Sequence, residues 1–560
     1  MRKPVPSKKT ATSLQWDSEL SLLTWLATCV SVFSFLFFYQ RGDVLLYGDA
    51  VAHINIARRV FDSKTPGLLQ LGTVWLPLPH LLMIPFLISN NLWQRGAGGS
   101  IPSMVGYVLG VVGMFRLVRA MLSRGTDPDL TARIAAWTAT LIYIANPNLI
   151  YLQSTAMGEA VYLAFFIWSI FYFHEFLSGD GKALTKCGLC LAGACLTRYD
   201  GWLIAAVMTA IVIVHFVRSR AIGKQGAVLR VERSAVAKFV LIAAAAPALW
   251  LAYNAIIYRN PLEFENGPYS AKAIERKTQS AGNPGHPGSG NLFVAGMYFI
   301  KAVEDNLAES TWLQRVWVLL VVGALGGASF LLSSEEMSRS RTVWTIFLLL
   351  LLPVPFYALS VAYGGVPIFV PTWWPHSYYN LRYGLQLLPA FAVATAVILF
   401  LVISSHRLNM RLRFAAILLV GAFIVASYAS VWRAGPISLK EAQVNMRIRN
   451  QLEKALAEWL KRLPPDATLL VYLGDHVGAL EQAGIPLRHV INEGNHRVWK
   501  QPSDPDGLWE RALANPAKYA DYAVAFEGDP VWQAVNQQHL HELVELHVTG
   551  QAHAIIYRLR

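Results

Sequence analysis

The sequence predicts an α-helical polytopic membrane protein that ends in a soluble α/β domain. Three observations predict it. Of 560 residues, 54% are hydrophobic and only 15% are charged, against about a quarter charged in a soluble chain. Apolar runs suited to spans of about 20 residues recur from Leu20 to Val431. Among them Leu22–Tyr39, Ala160–Phe173, Phe239–Ile257 and Gly384–Ser404 contain no charged residue. After Trp432 the pattern changes to an amphipathic helix over residues 438–462, then to short apolar strands alternating with helical stretches.

Residues 1–19 form a basic tail with Arg2, Lys3, Lys8 and Lys9, expected on the cytosolic side. The first span ends in Phe37, Phe38 and Tyr39, an interfacial anchor, and is too long for a cleaved signal core. Residues 40–75 then form an external loop. Residues 76–90 contain Pro77, Pro79 and Pro85 and are expected to dip into the membrane without crossing. That keeps Arg116, Arg119 and Arg124, at the end of the span Ile101–Met121, inside. Alternation continues through residues 132–150, 159–177, 184–197, 202–217 and 237–257. The most basic inner loop holds Arg218, Arg220, Lys224, Arg230 and Arg233. A mobile external loop over residues 258–312 is expected to follow, then spans 315–332, 343–362, 384–403 and 412–431. The total is about eleven crossings at this span length. The membrane module thus covers residues 20–433. Residues 434–560 form an external domain with strands expected at Thr468–Leu473, Tyr522–Phe526, Leu543–Val548 and Ala554–Tyr557.

The formal net charge of +13 would suggest nucleic acid in a soluble protein. Here it lies in short loops between apolar runs and orients the chain instead. No nucleic-acid-binding motif accompanies it. The cysteines are Cys29, Cys187, Cys190 and Cys195. The Cys187–Cys190 spacing lacks a second pair and a nearby histidine, so it reads as helix packing rather than a zinc site. No metal site and no cofactor are expected.

Four constellations fall on the expected outer side. Ionisable residues at the ends of membrane helices are costly and usually functional. Asp49 and His53 are four apart and share a helical face, with Arg58 following; Asp49 also reads as a helix cap. Glu159 opens a span, where it also suits the helix dipole. Thr197-Arg198-Tyr199-Asp200-Gly201 forms a tip in which Arg198 and Asp200 could be a plain surface pair. His376, Tyr378, Tyr379, Asn380, Arg382 and Tyr383 precede a span, where an aromatic belt is the simpler reading. Four such sets on one side of one membrane fit a shared site better than four separate coincidences.

The order of these motifs resembles a family. Gly48-Asp49-Ala50 with His53 and Arg58 is followed by Gly72, Trp75-Leu76-Pro77-Leu78-Pro79-His80, Asn146-Pro147 and Gly158-Glu159. Then come Thr197-Arg198-Tyr199-Asp200-Gly201, and Arg382-Tyr383-Gly384 with Pro389. Over residues 20–430 this is similar to the GT-C superfamily of membrane glycosyltransferases. Within it, the pattern resembles the branch of protein O-mannosyltransferases and lipid A aminoarabinose transferases. The resemblance implies a GT-C-like fold of about 11–13 membrane helices. It also implies a polyprenyl-phosphate sugar donor and an acidic base in the first external loop, matched by Asp49. The Asp49-Ala50 pair departs from the Asp-Glu common in protein O-mannosyltransferases. Glu159 matches a second acidic position.

Charge then suggests the mechanism. An acceptor hydroxyl needs a base in line with the sugar, and a leaving lipid phosphate needs fixed positive charge. Asp49 is the expected base, and Arg382 and Arg198 the expected phosphate contacts. His53, Arg58, Glu159, Asp200 and Tyr379 are expected around the substrate, and one direct displacement inverts the anomeric centre. The acceptor would be a glycan, lipid or protein at the outer face of an inner or plasma membrane. A transporter or flippase is the rival reading; it would carry charges along a path through the spans. The stretch Gly282–Gly290 is expected to be mobile, with His286 solvated. The C-terminal domain, with Gly474-Asp475-His476, Glu493 and His496, is expected to cover the acceptor side.

Overall fold

A computed structural model describes residues 17–123, 129–221, 232–278, 285–332, 337–474, 476–495 and 506–560. Asp475, His496 and residues 282–284, singled out above, lie outside these, as do Lys224 and Arg230. Among the described residues, eight helices are long and apolar enough to cross a membrane, and four apolar helices are shorter. Large apolar side chains point outward along them: Trp25 and Phe33 are 71% exposed and Leu419 72%. In water such a surface would be a liability; facing lipid it is the expected solvent match.

The first helix runs Ser18–Arg41, capped by Asp17 on the Leu20 N–H (2.9 Å) and closed by Gly42 at φ 75°. Its acidic N-terminal end is pinned by Arg119 on Asp17 (2.6 Å) and Arg133 on Glu19 (3.0 Å). The proline-rich dip is a helix of ten residues, Leu78–Leu87. It spans about 15 Å at 1.5 Å per residue, half of the roughly 30 Å of hydrocarbon.

Three segments differ from the sequence reading. Residues 132–150 form two helices, Leu130–Ile144 and Pro147–Gln153, because Asn146 caps a new start on the Asn148 and Leu149 N–H groups. Residues 343–362 break likewise at Pro353 into Met337–Leu350 and Pro353–Tyr363. The segment 258–312, expected as one mobile loop, contains the helices Ala271–Thr278 and Leu292–Leu307. The second buries Ala295, Tyr298, Phe299, Ala302, Val303 and Asn306, a helical stripe masked in the sequence by the adjoining Gly/Pro stretch.

Small residues let the helices meet. A side chain at Gly106 would lie 2.8 Å from the Val161 backbone, and one at Gly384 would collide with the Ala302 backbone. The latter contact seats Arg382-Tyr383-Gly384 against the helix Leu292–Leu307.

After the helix Met410–Ala434, a connecting helix Ile437–Leu460 leads into the C-terminal domain. Its strands are β1 (Leu469–Val471), β2 (Val490–Ile491), β3 (Tyr522–Phe526), β4 (His541–Leu546) and β5 (Ala554–Arg558), in sheet order β2-β1-β3-β5-β4. β1 pairs parallel with β2 and β3; β5 runs antiparallel to β3 and β4. The two-residue β2 has no sequence periodicity to announce it. The domain rests on the membrane module through Asn495, which donates to Ser63 (3.2 Å) and Thr65 (2.9 Å), and through Glu481, which accepts from Asn55 (2.6 Å).

Candidate active site

The N-terminal ends of several helices converge in one layer. Asp49 lies in the first turn of the helix Gly48–Arg59, Glu159 opens Glu159–Leu177, and Asp200 opens Asp200–Ala221. The positive end of a helix dipole stabilises a carboxylate at each place. Arg382 enters from the 3-10 turn Leu381–Leu387 and Glu441 from the start of the connecting helix.

Arg382 is the centre of this layer. Its Nη1 donates to Glu441 (3.0 Å), its Nε to Glu159 (3.3 Å), and its Nη2 to Asp49. Arg198 donates to Glu159 (3.1 Å) and to the Tyr357 hydroxyl (2.7 Å), and its Nε lies 3.6 Å from Asp200. Tyr357 in turn donates to Asp200 (3.1 Å). Tyr383 lies between the two guanidiniums, 4.8 Å from Arg198 and 5.1 Å from Arg382. The layer thus joins four carboxylates to two arginines. One Glu159 oxygen accepts from both arginines, and the other is buried without a hydrogen-bond partner.

Exposure separates the carboxylates. The side chains of Glu159, Asp200 and Glu441 are each 1% exposed, whereas that of Asp49 is 36% exposed. Asp49 does not cap its helix: the cap position is Tyr47, and no side chain bonds there. Nor is Arg198–Asp200 a surface pair, since Asp200 is buried.

The other expected residues lie around this core. His53 is buried, its Nδ1 is 2.8 Å from Nε2 of His80, and its ring meets Trp75 edge-on at 4.9 Å. Burial pushes the His53 imidazole below its ordinary value, against the pull of Asp49 and Glu159, which favours the neutral ring at pH 7. Burial, with Asp49 nearby, pushes the Tyr379 hydroxyl up to about 12. Arg58 belongs to a separate cluster: it bonds Asp62 (2.8 Å), Asn90 (2.6 Å) and the Leu87 carbonyl, and faces Trp93 at 4.8 Å. His376 is directed elsewhere, 3.2 Å from the Pro371 carbonyl. His286, expected in solvent, is instead tucked against Glu275 at 2.9 Å. All four cysteines are free, and Cys187 is packed inside the bundle. Among the described residues, the carboxylate and histidine group spaced to hold a metal is the exposed Glu545, His547 and His553, away from this layer.

Sequence reasoning missed Glu441, Tyr357 and Arg449. Glu441 also accepts from the backbone N–H groups of Asn380 (3.0 Å) and Leu381 (2.8 Å), holding the turn that presents Arg382. Arg449, about two turns further along the connecting helix, packs on Gly48, where any side chain would strike its guanidinium. Its own carboxylate contact is long, 3.6 Å to Glu453.

No protein-family model matches the sequence, and no curated protein matches it. Solved structures do. ArnT from Cupriavidus metallidurans bound to undecaprenyl phosphate superposes with a TM-score of 0.55 at 13% identity, covering 97% of this chain and 98% of that one. Its apo form gives 0.53 at 12% identity over the same shares. The chain therefore has the fold of ArnT along nearly its whole length.

Proposed function

We propose that the protein is a membrane glycosyltransferase that moves a sugar from a polyprenyl-phosphate carrier to an acceptor hydroxyl. The observation that carries this reading is the pairing of a solvent-facing carboxylate, Asp49, with Arg382 inside a buried layer of fixed charge. The shared fold with ArnT, which binds undecaprenyl phosphate, supports a lipid phosphate as the carrier. The position of the charges supports chemistry over transport, because they gather at helix starts rather than along a path through the spans.

In the proposed reaction the donor phosphate approaches Arg382 and competes with Asp49, the most exposed of its three partners. Arg382 then offers its planar fork to phosphate oxygens, and Asp49 is released to take the proton of the acceptor hydroxyl. Glu441 and Glu159 hold the guanidinium in place while this exchange occurs. Arg198 and Arg449 supply further positive charge for the leaving lipid phosphate. His53 and Tyr379 border Asp49, and Asp200 orients Arg198 through Tyr357. A single in-line displacement inverts the sugar.

The test is turnover of purified protein with a panel of polyprenyl-phosphate sugars, read by mass spectrometry of released lipid phosphate. Asp49→Asn is expected to lower turnover by at least about a hundredfold, the scale of a lost general base, with unchanged melting behaviour. Near-native turnover of Asp49→Asn would remove Asp49 as the base.

A further inference from the structure

We propose that the C-terminal domain carries its own saccharide-binding pocket at the carboxyl ends of β1 and β3. From β1 the chain passes to β2 on one side, while β3 lies on the other. In parallel sheets such a reversal opens a crevice beyond the strand ends, where ligands bind. Here it holds a cavity of about 350 Å³, lined by Tyr472, His476, Phe526, Glu527, Asp529 and Ala552. That is near the small end of the size range for ligand sites, suited to one sugar unit.

The lining selects the ligand. One Asp529 oxygen accepts from the Trp532 N–H (2.5 Å), while its second oxygen is buried with no hydrogen-bond partner. A carboxylate only accepts, so this atom calls for a hydroxyl or N–H donor. Burial lifts the Asp529 carboxyl to about 6, against the pull of backbone hydrogen bonds led by that of Trp532. The lining also includes Tyr472 and His476, the latter stacked on Phe526 with ring centres 4.1 Å apart. A sugar ring offers hydroxyl donors at its edge and C–H groups on its faces, matching both the acceptor and the aromatic lining. Glu527 adds a second acceptor, and among the described residues no lysine or arginine lines the cavity.

The pocket is independent of transfer at Asp49 and is tested without it. Full-length protein would be held in a detergent that has no sugar headgroup. Saturation-transfer NMR would then be recorded with the methyl glycosides of glucose, galactose and N-acetylglucosamine. At least one is expected to bind. Asp529→Asn keeps the helix cap, since Asn caps as well as Asp, but turns the vacant acceptor into a donor. Ala552→Trp fills the mouth and removes no polar contact. Each should weaken binding about tenfold or more without changing the melting temperature. Binding unaffected by Ala552→Trp, no binding of any glycoside, or displacement by inorganic phosphate would overturn the proposal.

Discussion

Arg382 meets three anions of very different accessibility, and this sets how it can act. Glu159 and Glu441 are sealed in, whereas Asp49 borders solvent. A lipid phosphate therefore gains access most cheaply by replacing Asp49. Lysine at this position keeps the charge but lacks the planar fork whose three nitrogens reach the three partners separately. Arg382→Lys is expected to reduce turnover roughly ten- to a hundredfold, since each charged hydrogen bond contributes about 1.5–3 kcal/mol. The check is turnover and donor binding at equal expression, beside Arg382→Ala. Equal activity of the lysine variant would make Arg382 an interfacial anchor. Asp49, Glu159, Arg198, Asp200 and Arg382 were legible in the sequence because each is a charge at the border of an apolar run. Glu441 and Tyr357 were not. Glu441 sits among other charges on an amphipathic helix, 59 residues from Arg382. Tyr357 is one aromatic among many in an apolar segment. Arg58 was legible as a charge but not in its partners, which are Asp62 and groups at and beyond the end of the helix Leu78–Leu87.

At the scale of elements, long apolar runs were readable and short interrupted ones were not. Hydropathy finds Ser18–Arg41 or Leu388–Ser404 without help, but it averages over the breaks at Asn146-Pro147 and Pro353. The helix Leu292–Leu307 was lost for a related reason: its stripe is amphipathic, and a Gly/Pro stretch precedes it. That helix matters because it backs the arginine turn. Gly384→Ala should push the turn off Ala302 and cost about 1–3 kcal/mol, as overpacking does. A thermal-shift measurement that shows no loss would mean the turn yields freely. A second contact between elements is sensitive to pH. Burial, with Glu453 nearby, pushes the Glu481 carboxyl well above its ordinary 4.5, opposed by the Asn55 bond. The folded state then holds a proton that the unfolded chain releases, so this contribution is full below pH 4.5 and is lost as pH rises toward the folded value. Glutamine still accepts from Asn55 and carries no charge. Glu481→Gln is expected to stabilise the protein at neutral pH by about 1–3 kcal/mol, the scale of an unsatisfied buried polar group. The difference should vanish at pH 4; a gain that persists there would assign the effect to packing.

For the whole molecule, the decisive question is which side of the membrane the charged layer faces. Lipid-linked sugars are delivered to one leaflet, so a site on the wrong face could not meet its donor. Basic residues give the argument. Arg119 and Arg133 sit at the end of the bundle marked by Asp17, while Asp49 follows the opposite end of that first helix, beyond Arg41. Basic loops stay cytosolic, so we expect the first end inside and the Asp49 layer outside. The connecting helix ties the C-terminal domain to this layer through Glu441, so both must share a face. A pair of reporters fused after Arg560 tests this: an alkaline phosphatase, active only outside, and a fluorescent protein that matures only in the cytosol. The phosphatase fusion is expected to be active and the fluorescent fusion dark. The reverse would place Asp49 and the whole domain in the cytosol.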